Sequence, residues 1–147
     1  MWFELLVATL LAAISVSIHA LGSYFVLLRV FRTLLKEGQA WTFSAVYWTI
    51  MRVFTVLLTI HVIEVAVWGE FYFMQHLFPD RETAYYFSLT SYTTVGYGDV
   101  VISRQWRLMG GFEAMTGVLM FGWSTAILVG LLSRFRGERE RSHLSNR

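Results

Sequence analysis

Three runs of apolar sequence, Phe3 to about Val30, Phe43 to Trp68 and Trp106 to Phe135, dominate this chain. Each exceeds the roughly 20 residues that a helix needs to cross a bilayer. In lipid every backbone N–H and C=O must find its partner within the protein, and a helix supplies one at each residue. The 147 residues are 56% hydrophobic and only 15% charged, with a mean hydropathy of +0.52, well outside soluble composition. The reading is an all-α, multi-pass integral membrane protein with three transmembrane helices. Cysteine is absent, which excludes a disulfide framework and a thiolate metal site. Glu4 stands at the head of the first run and positive charge at its end, the reverse of a cleaved signal peptide.

Between the second and third runs the pattern changes. Pro79-Asp80-Arg81-Glu82 reads as a helix start, with Asp80 as N-cap and Glu82 complementing the dipole. The helix it opens reaches Tyr92, about three turns, and is too short to span. It is therefore read as re-entrant. It ends directly on Thr93-Thr94-Val95-Gly96-Tyr97-Gly98-Asp99. Irregular backbone at membrane depth survives only inside protein or along a water-filled path. Glycine at alternate positions, Gly96 and Gly98, lets φ turn positive at every second residue, which swings successive carbonyls to one side. A column of such oxygens can replace the hydration shell of a monovalent cation. An ordinary Gly/Asp turn leaves the apolar flanks unexplained.

These seven residues, with the short helix before them and the glycine-rich run after them, resemble the signature of bacterial pore-loop potassium channels. The resemblance covers roughly Ala66 to Phe135. It implies a potassium-channel pore fold: outer helix 43–68, turret 69–80, pore helix 81–92, selectivity-filter loop 93–99 and inner helix 106–135. An extra N-terminal transmembrane helix (1–31), a cytoplasmic loop (32–42) and a basic cytoplasmic tail (136–147) complete the chain.

In that resemblance the backbone carbonyls of Thr94, Val95, Gly96 and Tyr97 hold K+, and Thr94 adds its hydroxyl at the inner end. Tyr97 braces the strand from behind, and Thr93, Gly98 and Asp99 support the loop. The tryptophan and carboxylate that many of these channels carry at the positions of Tyr86 and Thr90 are absent, so Tyr86 and Thr90 are the candidate partners of Asp99. Gly117 aligns with a hinge glycine of the inner helix. The implied function is passive, selective potassium conduction by a homotetramer in a bacterial inner membrane, with K+ as permeant ion and no enzymatic activity. A non-selective cation channel and a non-conducting accessory subunit are the alternatives.

Ionisable residues inside spans are functional candidates. His61 and Glu64 share a helical face and can pair with each other or with a neighbouring helix, in a structural bond or in gating. As metal ligands they number two, with no third in view. Glu113 sits two turns into the last span, and a hydrogen bond to the pore helix, His61 or Glu64 is expected, with control of inactivation as the sharper reading. Arg52 is expected to snorkel toward the headgroups. Gly122, Ala126 and Gly130 form a small-residue face for close helix contact.

Gating has no evident device. No span carries the repeated arginines of a voltage sensor, and no ligand-binding domain is expected after the inner helix. Arg29, Arg32 and Lys36 stand at the end of the first run, and the stretch from Arg134 to Arg147, at the end of the last, holds five arginines against Glu138 and Glu140. The positive-inside rule then places the N-terminus outside and the C-terminus in the cytoplasm, with the tail against anionic lipid. Membrane orientation accounts for the net charge of +2 better than a nucleic-acid partner does.

Overall fold

The computed structural model describes residues 2–34 and 42–145, the side chains of residues 31, 33, 34 and 138–145 excepted. Four α-helices carry the described chain: α1 (Trp2–Leu34), α2 (Phe43–Met74), α3 (Arg81–Tyr92) and α4 (Arg107–Ser145). A single 3-10 turn, Arg104–Trp106, leads into α4. Helices α1, α2 and α4 are long and apolar enough to cross a membrane, which α3 is not. Much of the expected loop at 32–42 lies outside the described residues, as do the side chains of most of the basic tail.

Local chemistry sets the helix ends. The Thr42 hydroxyl accepts from the Ala45 N–H and opens α2. Asp80 opens α3 by accepting from the Thr83 N–H at 2.8 Å, as the sequence suggested. The outer helix does not stop at Trp68. It runs six residues further, to Met74, through the segment expected to be a turret. Gly69 is mid-helix because α3 crosses there: a Cβ at Gly69 would meet the Tyr85 ring at 3.1 Å and the Tyr85 Cα at 3.2 Å. The extension is then tied to α3, since Glu70 accepts from Arg81 at 3.1 Å and from the Tyr85 hydroxyl at 3.0 Å. Its end is a Schellman turn, with His76 at φ +53° and bonds from Leu77 N to Tyr72 O and from His76 N to Phe73 O.

The other two spans also outrun their expected ends. Helix α1 reaches Leu34, and α4 continues without a break past Phe135 to Ser145. The two larger apolar clusters among the described residues lie around Trp68, Tyr72, Phe87 and Met109 and around Val26, Leu57, Ile60 and Leu131; a smaller one joins Val65, Tyr92 and Met120. Helix α1 contributes to both larger clusters, through Ala8 and Leu11 at one end and Val26 and Val30 at the other. On the same face, between them, lie buried Ser15, His19 and Ser23. Trp68 donates to the Ser15 hydroxyl at 3.1 Å, so this stripe is engaged by α2.

Candidate functional site

Helix α3 buries Ala84, Phe87, Ser88 and Tyr92 and delivers the chain to Thr93. The next residues fold back onto its last turn: Thr94 N donates to Ser91 O at 2.9 Å, and Gly96 N to Thr90 O at 3.1 Å. The Thr93 hydroxyl donates to Leu89 O at 2.6 Å. Backbone φ is +62° at Thr94, +49° at Gly96 and +78° at Gly98, and negative at Val95 and Tyr97. This alternation is the geometry that turns successive carbonyls to one side. The glycines were expected to adopt it; Thr94 was not. A β-branched residue in the left-handed region is strained by about 1–3 kcal/mol and persists only where its surroundings enforce it. Here the pore-helix end does so, by holding the amides on either side.

At the outer end of the loop the Tyr86 hydroxyl donates to Asp99 Oδ2 at 2.6 Å, and Val100 N donates to Asp99 Oδ1 at 3.0 Å. The hydroxyl bond holds the Asp99 carboxyl below its usual range and pushes the Tyr86 phenol up. Of the two candidate partners only Tyr86 reaches Asp99. Thr90 spends its hydroxyl on Tyr86 O and Phe87 O of its own helix, the common fate of a mid-helix threonine. Within the chain Val95 and Tyr97 are 50% and 74% exposed.

Helix α4 backs the loop. A Cβ placed on Gly117 would stand 2.0 Å from the carbonyl oxygen of Tyr92, so the absence of a side chain is what admits the end of α3. The helix passes unbroken through Gly117. Gly122 and Gly130 have open space around them, and their faces of α4 are not packed within the chain.

A short re-entrant helix, a strained polar loop at its C-terminal end and a long helix pressed against both make up a pore-loop unit. A family model described as "Ion channel" matches residues 60–134, just over half of the chain. The chain belongs to this ion-channel family. The match begins within α2 and ends within α4, leaving α1 outside it. Neither the curated proteins nor the solved structures gave a match. The ion channel is an integral, multi-pass membrane protein of the pore-loop type.

Two polar networks flank the pore loop of this channel. In the first, Glu113 of α4 is fully buried and bonds Ser88 of α3 at 2.5 Å and the Tyr72 hydroxyl of α2 at 2.8 Å. The expected bond to the pore helix is there; His61 and Glu64 are not its partners. Ser88 also donates to Val65 O at 2.8 Å, so one carboxyl links three helices.

The second network joins His61 and Glu64 to a residue that sequence reasoning gave no role. Nδ1 of His19, on α1, lies 3.0 Å from Glu64 Oε1. His61 Nδ1 lies 3.3 Å from Glu64 Oε2 and 3.0 Å from the Tyr92 hydroxyl, which itself donates to Glu64 Oε2. Ser124 of α4 reaches Nε2 of both histidines, at 3.0 Å for His61 and 3.2 Å for His19. The signal for His19 was present: an imidazole within an apolar span needs a partner. The spacing of His19, Ser15 and Ser23, at four residues each, marked the same face.

Proposed function

We propose that the channel conducts potassium selectively, as a homotetramer in which each chain donates one arc of carbonyls from Thr94, Val95, Gly96 and Tyr97. The observation that carries this reading is the alternation of left-handed backbone at Thr94, Gly96 and Gly98, set at the C-terminal end of a helix too short to span. One strand of oxygens cannot surround an ion, and four can replace its hydration. The negative pole of α3 favours a cation on the inner side of the loop. The exposed apolar groups of Val95 and Tyr97 fit the same reading, because side chains left bare in one chain acquire a cover when neighbours close the pore. Closely spaced sites bind strongly enough to dehydrate the ion and release it through mutual repulsion.

In this reading Thr94 adds its hydroxyl at the inner end, and Tyr86 with Asp99 secures the outer end. The N-terminus lies outside and the C-terminus in the cytoplasm of a bacterial inner membrane, with anionic lipid along the basic tail. Reconstituted in liposomes under a potassium gradient, the purified chain should pass K+ and discriminate against Na+. Gly96→Ala places a methyl at a positive φ and should abolish the flux. Equal Na+ and K+ permeation would indicate a non-selective cation channel, and no flux from a correctly folded protein would indicate an accessory subunit.

A further inference from the structure

The second network has the donors and the spacing of a metal centre. Donor atoms of His19, His61 and Glu64 lie within 4.8 Å of one another, and all three residues are buried. Both imidazoles turn Nδ1 toward one carboxylate, at 3.0 and 3.3 Å. A tetrahedral cation held at about 2.0–2.1 Å separates neighbouring donors by about 3.4 Å. Each nitrogen–oxygen contact needs to open by only a fraction of an ångström to admit one, and the two imidazole nitrogens, within 4.8 Å of each other, need to settle at the same separation.

The rest of each imidazole fits the same arrangement. A histidine bound to metal through one nitrogen donates from the other to a fixed acceptor. Nε2 of both histidines lies against the Ser124 hydroxyl, whose oxygen has two lone pairs and can accept from both. The Tyr92 hydroxyl, bonded to Glu64 and 3.0 Å from His61 Nδ1, supplies a fourth donor at the same point. A set of two imidazoles, a carboxylate and a phenol oxygen suits zinc and its neighbours rather than calcium or magnesium.

We infer that His19, His61 and Glu64, completed by Tyr92, form a binding site for a divalent transition cation of the zinc class, with Ser124 as the residue that orients both histidines. The ligands come from α1, α2 and the last residue of α3. A bound cation pins the first helix to the pore unit and fixes the turn that carries the loop. The site is independent of which ion the loop passes.

The test is a titration of the purified full-length chain, stripped with chelator, with Co2+ and then Zn2+. One Co2+ per chain is expected, with the intense visible bands of tetrahedral cobalt, displaced by Zn2+. His19→Ala and Glu64→Gln should each abolish the tetrahedral bands, and Ser124→Ala should weaken binding by about tenfold or more. His76→Ala, on the exposed turn after α2, should leave both stoichiometry and spectrum unchanged. The melting temperature of the unsubstituted chain should rise with Zn2+, a readout that requires no variant to fold. Absence of stoichiometric Co2+, a wholly octahedral spectrum, retention of the bands in His19→Ala, or no rise in melting temperature would each overturn the assignment.

Discussion

Gly117 and Tyr92 are in backbone contact across two helices: the space a Gly117 side chain would fill is occupied by the Tyr92 carbonyl oxygen, 2.0 Å from the ideal Cβ position. The obstacle is main chain and cannot rotate aside. Gly117→Ala should therefore push α4 away from the end of α3 and cost about 1–3 kcal/mol or more in stability. Thermal unfolding of the purified channel measures it, and a melting temperature equal to that of the unsubstituted protein would contradict the packing described.

Gly22 makes a contrasting close approach. Its Cβ would lie 2.4 Å from the Ile60 Cδ1 and 2.8 Å from Cγ1, atoms of a side chain that can yield. Gly22→Ala should destabilise less than Gly117→Ala. Ile60→Val, which removes the nearer atom, should recover part of the loss when the two are combined. A double-mutant cycle on melting temperatures reads the coupling, expected to be about 0.5 kcal/mol or more.

The Tyr86–Asp99 bond sets a pH dependence. The Asp99 carboxyl is held low by the Tyr86 hydroxyl, so the folded loop favours the ionised form. A lowered folded pKa contributes stability that is present above the ordinary aspartate value of about 4 and is lost as pH falls through the folded value. Tyr86→Phe should move the Asp99 midpoint upward, toward that ordinary value. Carboxyl NMR titration of labelled aspartate checks the direction, and a midpoint that stays put would show that the hydroxyl is not the cause.

Glu113 tests hydrogen-bond counting. The Ser88 hydroxyl has one proton and faces two oxygens, Val65 O at 2.8 Å and Glu113 Oε1 at 2.5 Å, while Tyr72 donates to Glu113 Oε2. Glutamine supplies a donor toward Ser88 and an acceptor for Tyr72, so Glu113→Gln should be close to neutral. Glu113→Leu strands the buried Tyr72 hydroxyl, while Ser88 keeps Val65 O, and should cost about 1–3 kcal/mol. Denaturation of the two variants in the same detergent separates these outcomes.

The part of the fold legible in the sequence is the part written in breaks and exceptions. Three apolar runs announce three spans, and the Asp80 cap and the glycines at 96 and 98 announce the short helix and its loop. The extension of α2 was hidden because Gly69 reads locally as a terminator, whereas its role is to admit Tyr85 from a helix more than ten residues away. The left-handed Thr94 was hidden for a related reason: no local preference favours it, and bonds from the loop to the end of α3 impose it. Helix α1 was opaque in another way. In lipid the apolar side chains face outward, so the buried stripe is written as polar residues at four-residue spacing, Ser15, His19 and Ser23, and not as an apolar face.

That stripe decides how far the molecule can be trimmed. The recognisable family segment starts at residue 60, and a two-helix miniature built from it would discard α1 together with His19. Glu64 would then keep Tyr92 and His61 while losing the imidazole beside Oε1, deep in a low-dielectric interior where an under-compensated carboxylate is costly. The leading helix is thus a structural member of the pore, and shortened versions need a substitute for one buried ring before their behaviour can be compared with that of the whole chain.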